Sequence, residues 1–473
     1  VPSSDGSYYY TFDEEGRHLF TKQLLTGTTV WTFGYDSNGR LSSLRDRMGQ
    51  VTTIEHDIDG NITGIVTPNN SRTEITTDSN GLISSVTSPT SKTYNMVYEQ
   101  TDLLTFLRDP ANNEHSYEYN DDGRLVADTR PNSGTISLAR TGNSQNYTVT
   151  KTSPEGRVTT YSFITDSANN GGIKTISYSD GSQVTMQYEG AGSRTVTYPS
   201  GIEHEMVYAP DPRFGMQLPY AAESTITYPS GESFTTETER EVELENAGAV
   251  FDMVTVTDTI VEAGIRSLTV VQNAAQRTVT QTTGEGRQVV TSFDELGRVS
   301  GVERIEGDVT DSNLAALSFT YEEDTGLVSR VQRGEQYFEY GYDSQGRVIS
   351  RTDAMGRTVD YAYDDDNLIS QLTLADGSTQ YEYGYDDLGR RTSYMMPNGG
   401  AHTLNYTFDD NLGEYAAPAT SNPLSKSYDL DSRITEASHP TGRSIQYSRN
   451  GQHRLETVSY DEGEVSVTFS GVS

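Results

Sequence analysis

Apolar and polar residues alternate with a period of two along most of this chain. The stretches Arg357-Thr-Val-Asp-Tyr-Ala-Tyr363 and Ser378-Thr-Gln-Tyr-Glu-Tyr-Gly-Tyr385 are typical. β-Branched and aromatic residues fill the alternating positions, the pattern of strands lying half-buried in a sheet. Each run is short and ends in a turn signal. The first kind reads Tyr35-Asp36-Ser-Asn-Gly39-Arg40, and its copies begin at residues 35, 56, 77, 98 and 119, each step being 21 residues. A second kind falls between these, as in Asp46-Arg-Met-Gly49-Gln50, Ser153-Pro-Glu-Gly156-Arg157 and Asp353-Ala-Met-Gly356-Arg357. Each 21-residue unit therefore predicts one β-hairpin. A lone hairpin is marginal in water, so the units are expected to pair edge to edge.

The chemistry of the first turn follows from its residues. Asp after Tyr caps the turn through its carboxylate, and the Gly supplies the positive φ that closes it. The Arg that follows pairs with a carboxylate or lays its stem on a Tyr ring. The clearest copies are Tyr35, Asp36, Gly39 and Arg40; Tyr119, Gly123 and Arg124; Asp294, Gly297 and Arg298; Tyr342, Asp343, Gly346 and Arg347; and Tyr385, Asp386, Gly389 and Arg390. Phe408-Asp409, Tyr428-Asp429 and Tyr460-Asp461 are read as later copies, with steps of 23 and 20 residues around Phe408. Residues 1–130 and 291–473 carry the regular pattern. Residues 131–290 are expected to be irregular, with Pro210, Pro212 and Pro219 forming a loop over 210–219 that resists regular pairing. The one weak helix signal is Asp311–Leu317. The expected fold is all-β, one continuous array of stacked hairpins.

Composition sharpens this picture. Only 33% of residues are hydrophobic, yet Tyr numbers 31 against 13 Phe and 1 Trp. This suits a sheet wet on one or both faces, where a Tyr ring packs across strands and its hydroxyl reaches a partner. The net charge of −34 opposes nucleic-acid binding, which needs clustered Lys and Arg, and opposes adhesion to anionic membranes. There is no Cys, which removes disulfides, thiolate metal sites and Cys nucleophiles. No run of 18 apolar residues predicts a membrane-spanning helix. The sequence opens at Val1 without a signal-peptide pattern and stops within the strand-like VSVTFSGVS, so a piece of a longer protein is expected.

The Tyr-Asp-x-x-Gly-Arg units at 21-residue spacing resemble the YD or Rhs repeat family, which takes in bacterial Rhs proteins, cocoon-forming components of Tc toxins, and teneurins. The likeness covers nearly the whole chain and is strongest over 8–130 and 290–465. It implies a spiralling β-sheet that winds into a hollow shell. That shell encloses a C-terminal toxin in Rhs and Tc proteins and acts as an adhesion scaffold in teneurins. The resemblance also implies an extracellular, bacterial protein whose partners are the rest of the shell, an enclosed cargo, or cell-surface proteins and glycans, with self-association as a further expectation. The self-cleavage segment that closes Rhs shells is not found near Ser473.

No catalytic, cofactor-binding or metal-binding residue is assigned. His18, His56, His115, His204, His402, His439 and His453 form no His-x-x-x-His pair, and Gly284-Glu-Gly286 reads as a turn. Calcium ligation by Asp364–Asn367, Asn120–Asp122 or Asp57–Asn61 competes with the turn role those residues already have. Glycan cleavage by Tyr and His or Arg is the enzymatic alternative, and the acidic surface opposes it for uronate polymers. The expectation is a non-enzymatic scaffold that encloses cargo, or alternatively an adhesion protein or fibre.

Overall fold

The computed structural model describes residues 1–99, 102–166, 170–190, 192–246, 248–306, 315–420, 422–450, 454–460 and 463–466. These hold 41 strands, from β1 (Tyr8–Phe12) to β41 (Gly463–Ser466), and no helix. Every strand pairs antiparallel with its neighbours in sequence, as β1 does with β2 (His18–Gln23) and β2 with β3 (Thr29–Tyr35), so the sheet is one long meander. Within the helix signal, 311–314 lie outside the described residues, and Leu317 opens β27 (Leu317–Tyr321). Asp461, His453 and most of VSVTFSGVS also lie outside them.

A meander places alternate turns on opposite edges. The Tyr-Asp turns all fall on one edge and the second kind on the other. Each Tyr-Asp turn carries a register shift at its Tyr, as at Gly34/Tyr35, Gly341/Tyr342 and Gly384/Tyr385. The second kind passes without one, as in Ser43↔Thr53 and Arg45↔Val51.

The sheet winds on itself. The turn after β12 (Leu125–Thr129) meets the turn after β35 (Ala401–Tyr406), through Asn132 and Asp409. The turn after β14 (Tyr147–Thr152) meets that after β37 (Leu424–Tyr428), and the turn after β16 (Gly171–Ser177) meets that after β39 (Ser444–Arg449). The offset is 23 strands each time. Because 23 is odd, the second-kind edge of the first coil always faces the Tyr-Asp edge of the next. At about 4.8 Å between strands, one coil measures about 110 Å around.

Little of the chain is buried. The accessible surface is 27758 Å², about 1.6 times the roughly 17,500 Å² of a compact monomer of this mass. The coil is therefore a wall one sheet thick. The main apolar cluster joins Leu25, Met253 and Val256, with Val279 and Phe293 packed against it, where the start of the first coil meets its end and the start of the second.

Long strands lead up to this cluster: β19 (Glu203–Asp211), β20 (Gly215–Thr227), β21 (Ser233–Leu244) and β22 (Met253–Glu262). The segment 210–219, expected as a loop, is instead the tip of the β19–β20 hairpin. Its prolines fit because the flanking ladders stop short of it, at Val207 on one side and Glu223 on the other. Pro210, Pro212 and Pro219 thus have no neighbour that needs their N–H. The tip folds onto the wall, where Asp211 is 1% exposed and Leu218 3% exposed.

Candidate functional site: the turn edges and the seam between coils

The Tyr-Asp turn works in three steps, each local. Asp36 Oδ1 accepts the N–H of Asn38 (2.9 Å) and of Arg40 (2.9 Å), while Oδ2 accepts Arg40 Nε at 2.7 Å. Asp294, Asp343 and Asp386 hold Arg298, Arg347 and Arg390 in the same way, each Nε–Oδ2 distance being 2.7 Å. The Arg40 amide, ahead of its side chain, holds Asp36 below the usual carboxylate range. In the copy led by Tyr119, Asn120 caps the turn and Arg124 turns to Asp122 instead, since an amide offers it no charge. Gly39, Gly123, Gly297, Gly346 and Gly389 all take positive φ, between 72° and 78°.

The motif also links each unit to the next. The Arg of one unit lies over the Tyr of the following one: Arg17 over Tyr35 (5.4 Å), Arg298 over Tyr321 (4.1 Å), Arg347 over Tyr363 (4.6 Å) and Arg390 over Tyr406 (4.8 Å). That Tyr hydroxyl donates to the carbonyl just after the Arg or Leu of the preceding turn. Tyr35 reaches His18 O (2.9 Å), Tyr119 reaches Leu104 O (2.8 Å), Tyr342 reaches Val328 O (2.7 Å) and Tyr385 reaches Ile369 O (2.9 Å). Gly60 shows why a side chain is excluded: its φ is 96°, and a Cβ there would overlap the Arg40 guanidinium. This geometry corrects one repeat. Tyr406, not Phe408, occupies the tyrosine position, since Tyr406 Oη reaches Arg391 O at 2.9 Å and Thr407 Oγ1 accepts the Asn411 N–H at 3.2 Å. Thr in place of Asp hid the copy.

Replacing Tyr342 by Phe removes one such link and leaves Val328 O without its donor. The expected loss is about 1 kcal/mol of stability, measured by urea denaturation. The same change at Tyr385, several strands away, should add to it.

The seam is polar. Lys92 Nζ bridges Asp366 (2.6 Å) and the Asp386 carbonyl (3.3 Å). Arg47 Nη1 donates to Leu296 O at 2.8 Å, and Arg454 Nη2 lies 2.8 Å from Asp180. Asp431, with a side chain 1% exposed, accepts Ser153 Oγ at 2.8 Å and faces Arg157 Nη2 at 3.4 Å. Gly297 lies here too, with Gln23 filling the space of its missing Cβ. None of Arg47, Lys92, Asp431 or Arg454 carries a local sequence signal for this role.

Acid is expected to loosen the seam. The Lys92 ammonium holds Asp366 below the ordinary carboxylate value, and Ser182, followed by Arg454, brings Asp180 down to about 2. The share of that lowering supplied across the seam, by Lys92 at Asp366 and by Arg454 at Asp180, favours coiling fully above the ordinary value of 3.8. That contribution fades as pH falls through the lowered values. Hydrogen exchange at Thr90–Lys92 and Asp180–Ser182 should therefore accelerate between about pH 4 and pH 2, ahead of the mid-sheet strands.

The calcium candidates are occupied by turn chemistry. Asp364 Oδ1 accepts the amides of Asp366 and Leu368, and Asp57 is held by Asn61. Among the described residues no group of three or more His, Asp or Glu is placed to hold a metal ion. His18 stacks on Phe33 (4.0 Å) and His402 on Tyr394 (4.1 Å), both as parts of aromatic ladders across strands.

The sequence model of the Teneurin YD-shell family matches residues 1–472. The chain belongs to the teneurin YD-shell family. Teneurin-3 of Danio rerio is 29% identical over 166 residues, 34% of this chain and 6% of that protein. Teneurin-1 of Homo sapiens is 29% identical over 161 residues, 33% of this chain and 6% of that protein. The YD-shell chain thus spans a small part of the curated relatives it matches. Among solved structures, the TcdB2-TccC3-Cdc42 crystal structure aligns with a TM-score of 0.52 at 12% identity, over 95% of this chain and 27% of that one. TcdB2-TccC3 without its hypervariable C-terminal region aligns equally well, over 28% of its chain. That likeness concerns the fold alone: an all-β shell wall.

Proposed function

We propose that this chain is a section of the wall of a secreted or cell-surface container, built to enclose a toxin or other cargo and not to catalyse a reaction. The observation that carries this reading is the accessible surface, far above that of a compact chain, on a sheet whose successive coils are sewn together at their turns. A wall of about 110 Å circumference is about 35 Å across; with half a sheet spacing of about 5 Å removed on each side, about 25 Å is left open. The polar repeat residues serve the wall itself, which leaves the motif Asp and Arg committed to turns. The resemblance to bacterial Tc shells supports a bacterial source, and TccC3 is the neighbour on which the cargo reading leans.

The test uses the full-length protein. Cryo-electron microscopy should show a hollow particle, and limited proteolysis should spare an enclosed segment until the shell is denatured. A solid particle, or cargo cleaved at the rate of a free peptide, would sink the reading. A second reading, an adhesion scaffold, is favoured by the teneurin relatives. It predicts no protected segment and specific binding to cells displaying a surface partner.

A further inference from the structure

Strand alternation gives the sheet two chemically opposed faces. One is bulky and aromatic. It runs through the row Tyr147↔Phe163↔Lys174↔Met186 in the first coil, and through Tyr340↔Arg351↔Val359 and Leu404↔Tyr415↔Leu424 in the second. The other is small and acidic, with Glu118 opposite Ala127, Glu223 opposite Glu237, and Glu414 opposite Asn405 and Ser425.

Arg140, Lys151, Lys174, Arg194, Arg351 and Lys426 all stand on the aromatic face. None of them forms an ion pair among the described residues, although the sequence holds 68 Asp and Glu against 34 Lys and Arg. Of the carboxylates on the same face, Asp258 is committed to Arg240 at 2.7 Å and Asp353 to Arg357 at 2.6 Å, and Asp128 is paired in register with Tyr117 and Ile136, not with a cation. Rings support the cations instead. Arg140 lies 4.0 Å over Tyr147, Lys174 lies 5.9 Å from the centre of Phe163 and 5.7 Å from that of Tyr188, and Arg351 lies 5.0 Å over Phe338. Tyr147 and Phe163 stack on each other at 4.6 Å. Arg194, in register with Tyr188, has a buried Nε without a hydrogen-bond partner. A ring steadies a cation but does not neutralise it, so each keeps its charge.

We propose that the aromatic face docks an extended, acidic polypeptide, whose carboxylates meet Arg140, Lys174 and Arg194 while its apolar side chains lie on Tyr147, Phe163 and Tyr188; Arg351 and Lys426 serve as anchors in the second coil. Charge complementarity selects this occupant. A basic chain would be repelled here, and a neutral one would leave the cations without carboxylates. The row from Tyr147 to Met186 is about 14 Å long, the span of about four extended residues. The acidic face does not cancel the attraction, because the faces lie about 10 Å apart and charges are screened over about 8 Å at physiological salt. The strands of the row are paired on both sides, so the face stays open whatever coil lies above or below. Docking there requires only the sheet, whether or not the wall encloses cargo.

Fluorescence anisotropy tests this with two labelled peptides of about 16 residues in about 0.15 M salt, one of Glu, Phe and Gly and one with Gln in place of every Glu. The Glu peptide should bind saturably below about 100 µM, and at least about tenfold more tightly than the Gln peptide. Lys174→Glu combined with Arg351→Glu should weaken it at least about tenfold, while Glu239→Gln on the acidic face should leave it unchanged. Should the double reversal alter the circular dichroism, Lys174→Gln with Arg351→Gln carries the same test. Equal binding of the two peptides, no saturation by about 100 µM, or an affinity that ignores the loss of Lys174 and Arg351 would each overturn the proposal.

Discussion

Replacing Asp211 by Ala is expected to remove about 3–5 kcal/mol of stability. Asp211 sits at the tip of the β19–β20 hairpin with a side chain 0% exposed. Its carboxylate accepts Arg213 Nε and Nη2 at 3.0 Å each and Arg240 Nη1 at 3.1 Å. Burial alone would push Asp211 up, but the Arg213 and Arg240 contacts outweigh it and hold it below the usual value. Arg240 is held in turn by Asp258 on the neighbouring strand, through bonds of 2.7 and 2.8 Å. Without Asp211, the Arg213 side chain, only 4% exposed, would be a buried cation with no carboxylate. The tip would then lift, exposing Leu218, which packs beside Gly6, and loosening the Phe214–Phe251 contact at 5.6 Å. Urea denaturation measures the loss, and hydrogen exchange over 208–222 should show it there first. A variant as stable as the parent would mean that the tip contributes nothing to holding the start of the first coil.

Asp431→Ala is expected to cost about 2–3 kcal/mol, and locally, because it removes a buried carboxylate that draws donors from both coils. Asp431 takes Ser153 Oγ and the Glu155 amide from the first coil and faces Arg433 Nη2 at 3.5 Å within its own turn. Glu155 answers by accepting the Leu430 amide at 3.0 Å. Losing the carboxylate should open the seam at this point. Faster exchange at Glu155 and Leu430, with little change at strands such as β5 (Val51–His56), is the expected pattern. Asp59→Ala is the comparison: a carboxylate exposed in the turn Asp57–Asn61, expected to matter by less than about 0.5 kcal/mol. Equal effects from the two substitutions would deny the seam its role in holding the coils together.

These two sites differ in how they relate to the sequence. The strands and turns were legible because their causes lie within a few residues: a period of two for the strand, an Asp oxygen and a left-handed Gly for the turn. The same locality explains the miss at Tyr406, where Thr407 performs the Asp role with a hydroxyl and Phe408-Asp409 offers a more familiar pair. The tip at 210–219 read as a loop because prolines forbid ladder bonds. They do so only where a neighbour needs the bond, and the adjoining strands end before reaching them.

Local chemistry in the sequence therefore determined that this chain forms hairpins joined in series, with Arg, Tyr and Asp tying each turn to the next. Only the tertiary structure decided that 23 strands make one coil and that Lys92 meets Asp366 or Ser153 meets Asp431. That number is the sum of small twists and bends over many strands, none of them fixed by any one residue. Partners more than 270 residues apart along the chain are set by that sum, and they become visible only once the whole sheet is wound.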